Sequence, residues 1–292
     1  MQYVTLWGKQ RIEQMMIRFL LFILSLYSFN GHSTELQLKI AYPAPSVAQQ
    51  KVVKTWINQS WQATQAVLGD LPQAKLPINI KMQAASDSPV PWGQVNRAIN
   101  TANPFDEVDL HVSPLANLAS LSADWTLYHE LSHLYTPYFD YASFWLSEGF
   151  ASYMQNIIML RAGIYDKRQF IVKLQAGLDR GHRQAIAQQT KLSEISADMW
   201  QQNAFQRVHW TGAAFFVEVD YHLHQKGLSL AKVMKRYNAC CKVAKTSGFE
   251  WVNSLTQMTN DTIFVDKYLQ YKDSIAFPIK AKPKVVKLAQ ML

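Results

Sequence analysis

The residues best placed to do chemistry are His129-Glu130-Leu131-Ser132-His133. Two histidines four positions apart lie one above the other on a helix face, so both imidazoles can bind one ion while the glutamate beside the first reaches a water on that ion. A zinc ion held by two neutral ring nitrogens and one carboxylate keeps an open position for water and lowers the water's pKa to about 7. Glu130 can then take the proton. In a chain of this length with eight histidines, such a match arises by chance at a rate on the order of one in a hundred. It gains weight from Trp145-Leu146-Ser147-Glu148-Gly149-Phe150-Ala151, which supplies the carboxylate that a two-histidine site lacks. Glu148 as a surface charge is the alternative. Its neighbours Phe144, Trp145, Leu146 and Phe150 speak against that, because an unpaired carboxylate among them is costly to bury.

These residues need two helices to carry them. Apolar residues recur at helical spacing over residues 125–135 and again over 144–160. Thr136-Pro137 ends the first stretch, since the residue before proline is driven from helical geometry, and Asp140 or Ser143 can cap the second. A connection this short lets the helices pack antiparallel and brings Glu148 back to the histidines.

The two motifs together resemble the gluzincin metallopeptidases, in particular the M1 aminopeptidase and M61 glycyl-aminopeptidase-like families, over roughly residues 105–240. The resemblance implies a thermolysin-like fold, with His129, His133 and Glu148 as zinc ligands and Glu130 as general base. The stretch Val208-His209-Trp210-Thr211-Gly212-Ala213-Ala214 is similar to a segment whose tyrosine stabilises the oxyanion in those families, and His209 stands at the tyrosine's place. An imidazole N–H can donate to an oxyanion as a phenol does, although a polar residue at a helix start is an equal reading. Several features depart from the M1 pattern. The fourteen residues between His133 and Glu148 are fewer than usual there, and Gln155 stands where a glutamate often follows the second motif. Nothing ahead of His129 resembles the Gly-x-Met-Glu-Asn segment that binds a substrate's free amino terminus, so aminopeptidase specificity has no support.

Around this site the chain reads as α+β. Alternating apolar residues predict strands over 36–42, 76–82 and 108–112, with an amphipathic helix over 47–68 between the first two. Further helices are expected over 170–178, 212–223 and 228–237. A small strand-bearing lobe, 34–120, is thus followed by a helical zinc-binding lobe, 121–277, and a solvated or loosely bound basic tail, 278–292, carrying Lys280, Lys282, Lys284 and Lys287. Residues 1–33 read as a signal peptide: Arg18, a short apolar run over 19–29, and Gly31-His32-Ser33 before a cut. The run is too short to span a bilayer, which implies a periplasmic or secreted protein with no stable membrane anchor after cleavage.

Net charge is +8, and +6 without Lys9, Arg11, Arg18 and Glu13 of the leader. That mild excess, without interleaved basic and aromatic residues, gives no sign of nucleic-acid binding. The adjacent Cys240 and Cys241 are expected to be buried small hydrophobes, and His111, His182, His222 and His224 to be structural. Nine tryptophans are assigned mainly to packing. The expected activity is zinc-dependent hydrolysis of a peptide or protein substrate. The alternatives are an inactive peptidase-like binding module and a zinc hydrolase of a non-peptide amide; no oligomeric state follows from the sequence.

Overall fold

In the computed structural model, the described residues are 34–41, 45–83, 87–99 and 104–292. The expected signal peptide, 1–33, and Tyr42 lie outside them. Residues Thr34–Leu292 form one contact unit.

Four strands, β1 (Glu35–Ile40), β2 (Lys75–Met82), β3 (Trp92–Asn96) and β4 (Glu107–Val112), make one sheet in the order β1-β2-β4-β3. The pairs β1/β2 and β2/β4 are parallel, whereas β3 runs antiparallel to β4 and forms an edge. Helix α1 (Val47–Leu68) spans the expected range, with Ser46 accepting from the Gln49 N–H at its start and Val53, Trp56, Ile57 and Trp61 buried. Strand β3 is absent from the sequence expectations. Its residues Trp92-Gly93-Gln94-Val95-Asn96 show no alternation, and Pro89 and Pro91 just ahead obscure a strand start.

The rest is helical: α2 (Leu118–Ala123), α3 (Thr126–His133), α4 (Phe144–Arg161), α5 (Lys167–Ala187), α6 (Leu192–Ala197), α7 (Phe205–Gln225), α8 (Leu230–Cys240), α9 (Gly248–Thr259), α10 (Ile263–Lys272) and α11 (Ala281–Met291). Helix α4 is buried continuously from Trp145 to Met159, as a helix apolar on nearly every face must be, and it is the centre of this layer. It crosses α7 at two facing glycines, Gly149 and Gly212. A methyl at Gly149 would lie 2.2 Å from the Gly212 carbonyl carbon, so only glycine lets the backbones meet so closely.

Two expectations are corrected here. Residues 278–292 are not a loose tail: they contain α11, which buries Ala281, Val285, Leu288 and Ala289. Lys284 pairs with the buried Glu218 of α7 at 3.1 Å, and Lys282 pairs with Asp179 of α5 at 2.7 Å. The lysines read as solvated charge are therefore partly docking contacts, because Glu218 is buried and needs cations. Cys240 and Cys241 are exposed, not buried, and are joined to each other in a disulfide at the end of α8. Among the described residues no helix is long and apolar enough to cross a membrane.

Candidate metal centre

Helix α3 holds His129, Glu130 and His133, all buried, and α4 brings Glu148 to them. Asp124 accepts from the Thr126 N–H at 2.8 Å and fixes the start of α3. The Nε2 atoms of His129 and His133 are 3.2 Å apart, and Glu148 Oε2 lies 3.3 Å from the first and 3.7 Å from the second. Three ligands on a tetrahedral zinc with bonds near 2.0–2.1 Å would be about 3.3 Å apart, so the donor set fits that ion. Among the described residues this trio is the one group of ligand atoms close enough together to hold a metal.

The outer ring nitrogens are held as well. Gln155 Oε1 lies 2.8 Å from His129 Nδ1, and Ser147 Oγ lies 2.9 Å from His133 Nδ1. A Gln155 oxygen here accepts from Nδ1–H, which leaves the Nε2 lone pair facing the ion position. Helix α4 thus supplies Glu148, which could hold the ion, and both outer partners. Gln155 is noticed in the sequence only as a departure from a family pattern; its partner becomes visible once α3 and α4 pack.

Burial and the neighbouring ionisable groups set the electrostatics. Burial pushes His133 down to about 3, since charging it would strand a cation in the interior. Burial alone would raise Glu148, but His209, His133 and His129 around it hold it well below the usual carboxylate range. His129 is raised because hydrogen bonding and attraction to Glu148 outweigh its burial. Burial lifts Glu130 to about 7, with Glu148 adding repulsion and His129 and Arg97 opposing it. A deeply buried carboxylate amid three histidines is what a bound cation would neutralise.

His209, on α7, is in the site. Its Nε2 lies 3.1 Å from Glu148 Oε2 and its ring stacks on His129 at 5.8 Å. Burial lowers its pKa, which favours a neutral ring with one N–H to donate. Tyr221 is twelve residues further along α7, roughly 18 Å by helix rise, and does not line the cleft, whereas Tyr138 does. His111 packs at a tilt against Trp92, His182 packs by Phe277, His222 bonds Asp261 at 2.9 Å and His224 lies 3.6 Å from Asp220. None of these four joins the trio.

The trio lies in a cleft of about 560 Å³. Strand β3 forms one wall, with Trp92, Gly93, Gln94 and Val95 all lining it. A methyl at Gly93 would lie 2.8 Å from Glu130 Cγ, so glycine lets the strand close on Glu130. Arg97, just beyond the strand, donates to the His133 carbonyl at 2.5 Å, to the Thr136 carbonyl at 3.1 Å and to Asp106 at 3.1 Å. It ties β3 to the C-terminal end of α3, where carbonyls lack helical partners. Neither residue stands out in the sequence, because both act on partners more than thirty residues away.

With this geometry in view, the segment spanning residues 135–222 matches the family model of the M61 glycyl aminopeptidases. That segment is similar to theirs. It holds Glu148, Gln155 and His209, while the two histidines lie just ahead of it. No curated protein matches the chain. In fold it is similar to an aminopeptidase N family protein from Idiomarina loihiensis, with TM-score 0.56 and 17% identity, covering 77% of this chain and 43% of that one. It is also similar to a two-domain M1 zinc metallopeptidase, a glutamate-to-alanine variant bound to L-arginine. There the TM-score is 0.50 and the identity 12%, covering 85% of this chain and 50% of that one. The chain therefore spans half or less of these proteins' length. The gluzincin resemblance is met in sequence by the M61 model over residues 135–222, and the fold is similar to those of the two proteins above.

Proposed function

We propose that this chain is a zinc-dependent peptidase in which His129, His133 and Glu148 hold the ion. The observation that carries the reading is the agreement of the three donor separations with tetrahedral zinc geometry. When bound, zinc supplies Lewis-acid polarisation of the scissile carbonyl and acidifies a water. Glu130 takes a proton from the attacking water on its carboxylate and passes it to the departing amine. The C–N bond breaks as the carbonyl carbon gains hydroxyl and the nitrogen gains that proton. We assign to the His209 N–H, which lies 3.1 Å from Glu148 Oε2, the role of donating to the negative oxygen of the tetrahedral intermediate.

The edge strand β3 supports a peptide as substrate. Consecutive residues Trp92 to Val95 line the cleft, and among the described residues β3 pairs with a strand on one side only, so its other edge can bond an extended chain beside Glu130. The purified full chain should carry one zinc, cut peptides, lose both zinc and cleavage on chelation, and regain them with zinc. A chain that stays metal-free in zinc-supplemented buffer overturns the reading. We also assign the protein to the periplasm or medium on the leader-like residues 1–33, and amino-terminal sequencing should find a mature start within a few residues of Thr34.

A further inference from the structure

At each of the three helices that meet at the candidate metal centre, α3, α4 and α7, the residue one turn before the functional side chain is aromatic, Trp125 standing immediately ahead of α3. Trp125 precedes His129, Phe144 precedes Glu148 and Phe205 precedes His209, each by four positions. That spacing puts each ring on the same helix face as its partner, and all three rings line the cleft. Trp125 meets His129 edge-on at 5.5 Å. Trp200 bridges Phe144 and Phe205, with ring centroids 5.3 and 6.4 Å away. Trp92 flanks the β3 side. Trp92, Trp125 and Trp200 remain 40%, 48% and 52% exposed. Scattered singly such rings would be ordinary, but gathered round one concave site they mark a binding surface.

The charges in the cleft point the same way. Among the described lining residues the carboxylates are Glu130 and Glu148 alone, and both serve the metal chemistry. Of the acids close by in the chain, Asp106 is engaged with Arg97, Asp124 with the Thr126 N–H and Asp140 with the Ser143 N–H, while the exposed Asp87 and Asp198 adjoin lining residues without lining the cleft themselves. Arg97 adds a positive charge beside Glu130. A substrate's free ammonium would lose water here, and the described lining offers it only the two carboxylates assigned to the metal chemistry.

We propose that the cleft takes an internal segment of a flexible polypeptide, seating large apolar side chains on the Trp92/Trp125 and Phe144/Trp200/Phe205 platforms, and requires no free amino terminus. This rests on the hydrolytic reading above and departs from aminopeptidase action.

The test uses the full chain with zinc and peptides carrying phenylalanine, leucine, alanine or glycine at one internal position. Each is offered free, amino-acetylated, carboxy-amidated and doubly blocked. Binding to the Glu130→Gln chain is followed in parallel by tryptophan fluorescence. Doubly blocked phenylalanine and leucine peptides should be cut as fast as free ones, and the phenylalanine-to-glycine rate ratio should fall about tenfold in Trp200→Ala, a usual value for a lost apolar pocket contact. Loss of cleavage on acetylation or amidation, a preference for glycine, or an unchanged ratio in a folded Trp200→Ala chain would overturn the proposal. Phe205→Ala provides the same readout should Trp200→Ala fail to fold. A chain that cuts nothing, yet binds blocked aromatic peptides more weakly after Trp200→Ala, sinks the hydrolytic reading and upholds the aromatic cleft.

Discussion

Gly149 and Gly212 face each other where the helix carrying Glu148 crosses the helix carrying His209: a methyl on Gly212 would lie 2.7 Å from Gly149 Cα and 2.1 Å from the Trp145 carbonyl oxygen. The obstructing atoms are backbone, so a side chain can be admitted only if α4 and α7 separate. That separation would carry a metal ligand away from its neighbour. Gly149→Ala and Gly212→Ala should each lower stability by about 2–3 kcal/mol in denaturant titration, the upper part of the range for overpacked cores. Both should also weaken zinc binding, and because they widen one crossing their effects should fall short of additive.

Gln155 fixes the His129 ring from outside the ion position, so it should matter to metal rather than to folding. Gln155→Leu keeps the volume and removes the acceptor. Zinc affinity, measured by chelator competition, should fall about 10- to 100-fold, as with other outer-sphere partners of histidine ligands. Gln155→Glu should bind zinc more tightly than the parent chain, since a carboxylate makes the imidazole a better donor. Equal affinities across the three chains would mean that the 2.8 Å contact does not orient His129.

Glu130 contacts the water in this account and not the ion. Glu130→Gln should keep one zinc while turnover falls about 100-fold or more, the scale of general-base catalysis. The base works deprotonated, so kcat/KM should decline as pH falls through its pKa. That value is about 7 in the metal-free site, and a bound cation favours the carboxylate, so the acid limb of the zinc-loaded chain should lie below about 7. Arg97 lowers the same pKa, and Arg97→Gln should therefore move the limb upward. A limb that stays in place would show that Arg97 only ties β3 to α3.

His209 should act on the developing oxyanion more than on the bound substrate. His209→Ala is expected to reduce kcat about 100- to 1000-fold with a small change in KM, as for the loss of one oxyanion donor, and His209→Tyr should recover part of the rate. If kcat stays within about twofold, far from that oxyanion loss, His209 serves to hold Glu148 and the donor is to be sought at Tyr138 on the cleft wall.

Chemistry carried by neighbours along the chain was legible without coordinates. His129 and His133, four residues apart, meet because an α-helix returns to the same face at that interval, whatever surrounds it. The expected strands at β1, β2 and β4 and the helix α1 follow from local apolar periodicity in the same way. Tertiary packing alone decided that Gln155 backs His129, that Arg97 caps α3 from beside β3, that Gly149 meets Gly212, and that Lys284 anchors α11 on Glu218. Each of these joins residues distant in sequence, where a polar group's burial depends on which face of another element covers it. No periodicity records that choice. It is made when α4, buried on nearly every side, draws α3 and α7 onto it and leaves β3 open along the cleft.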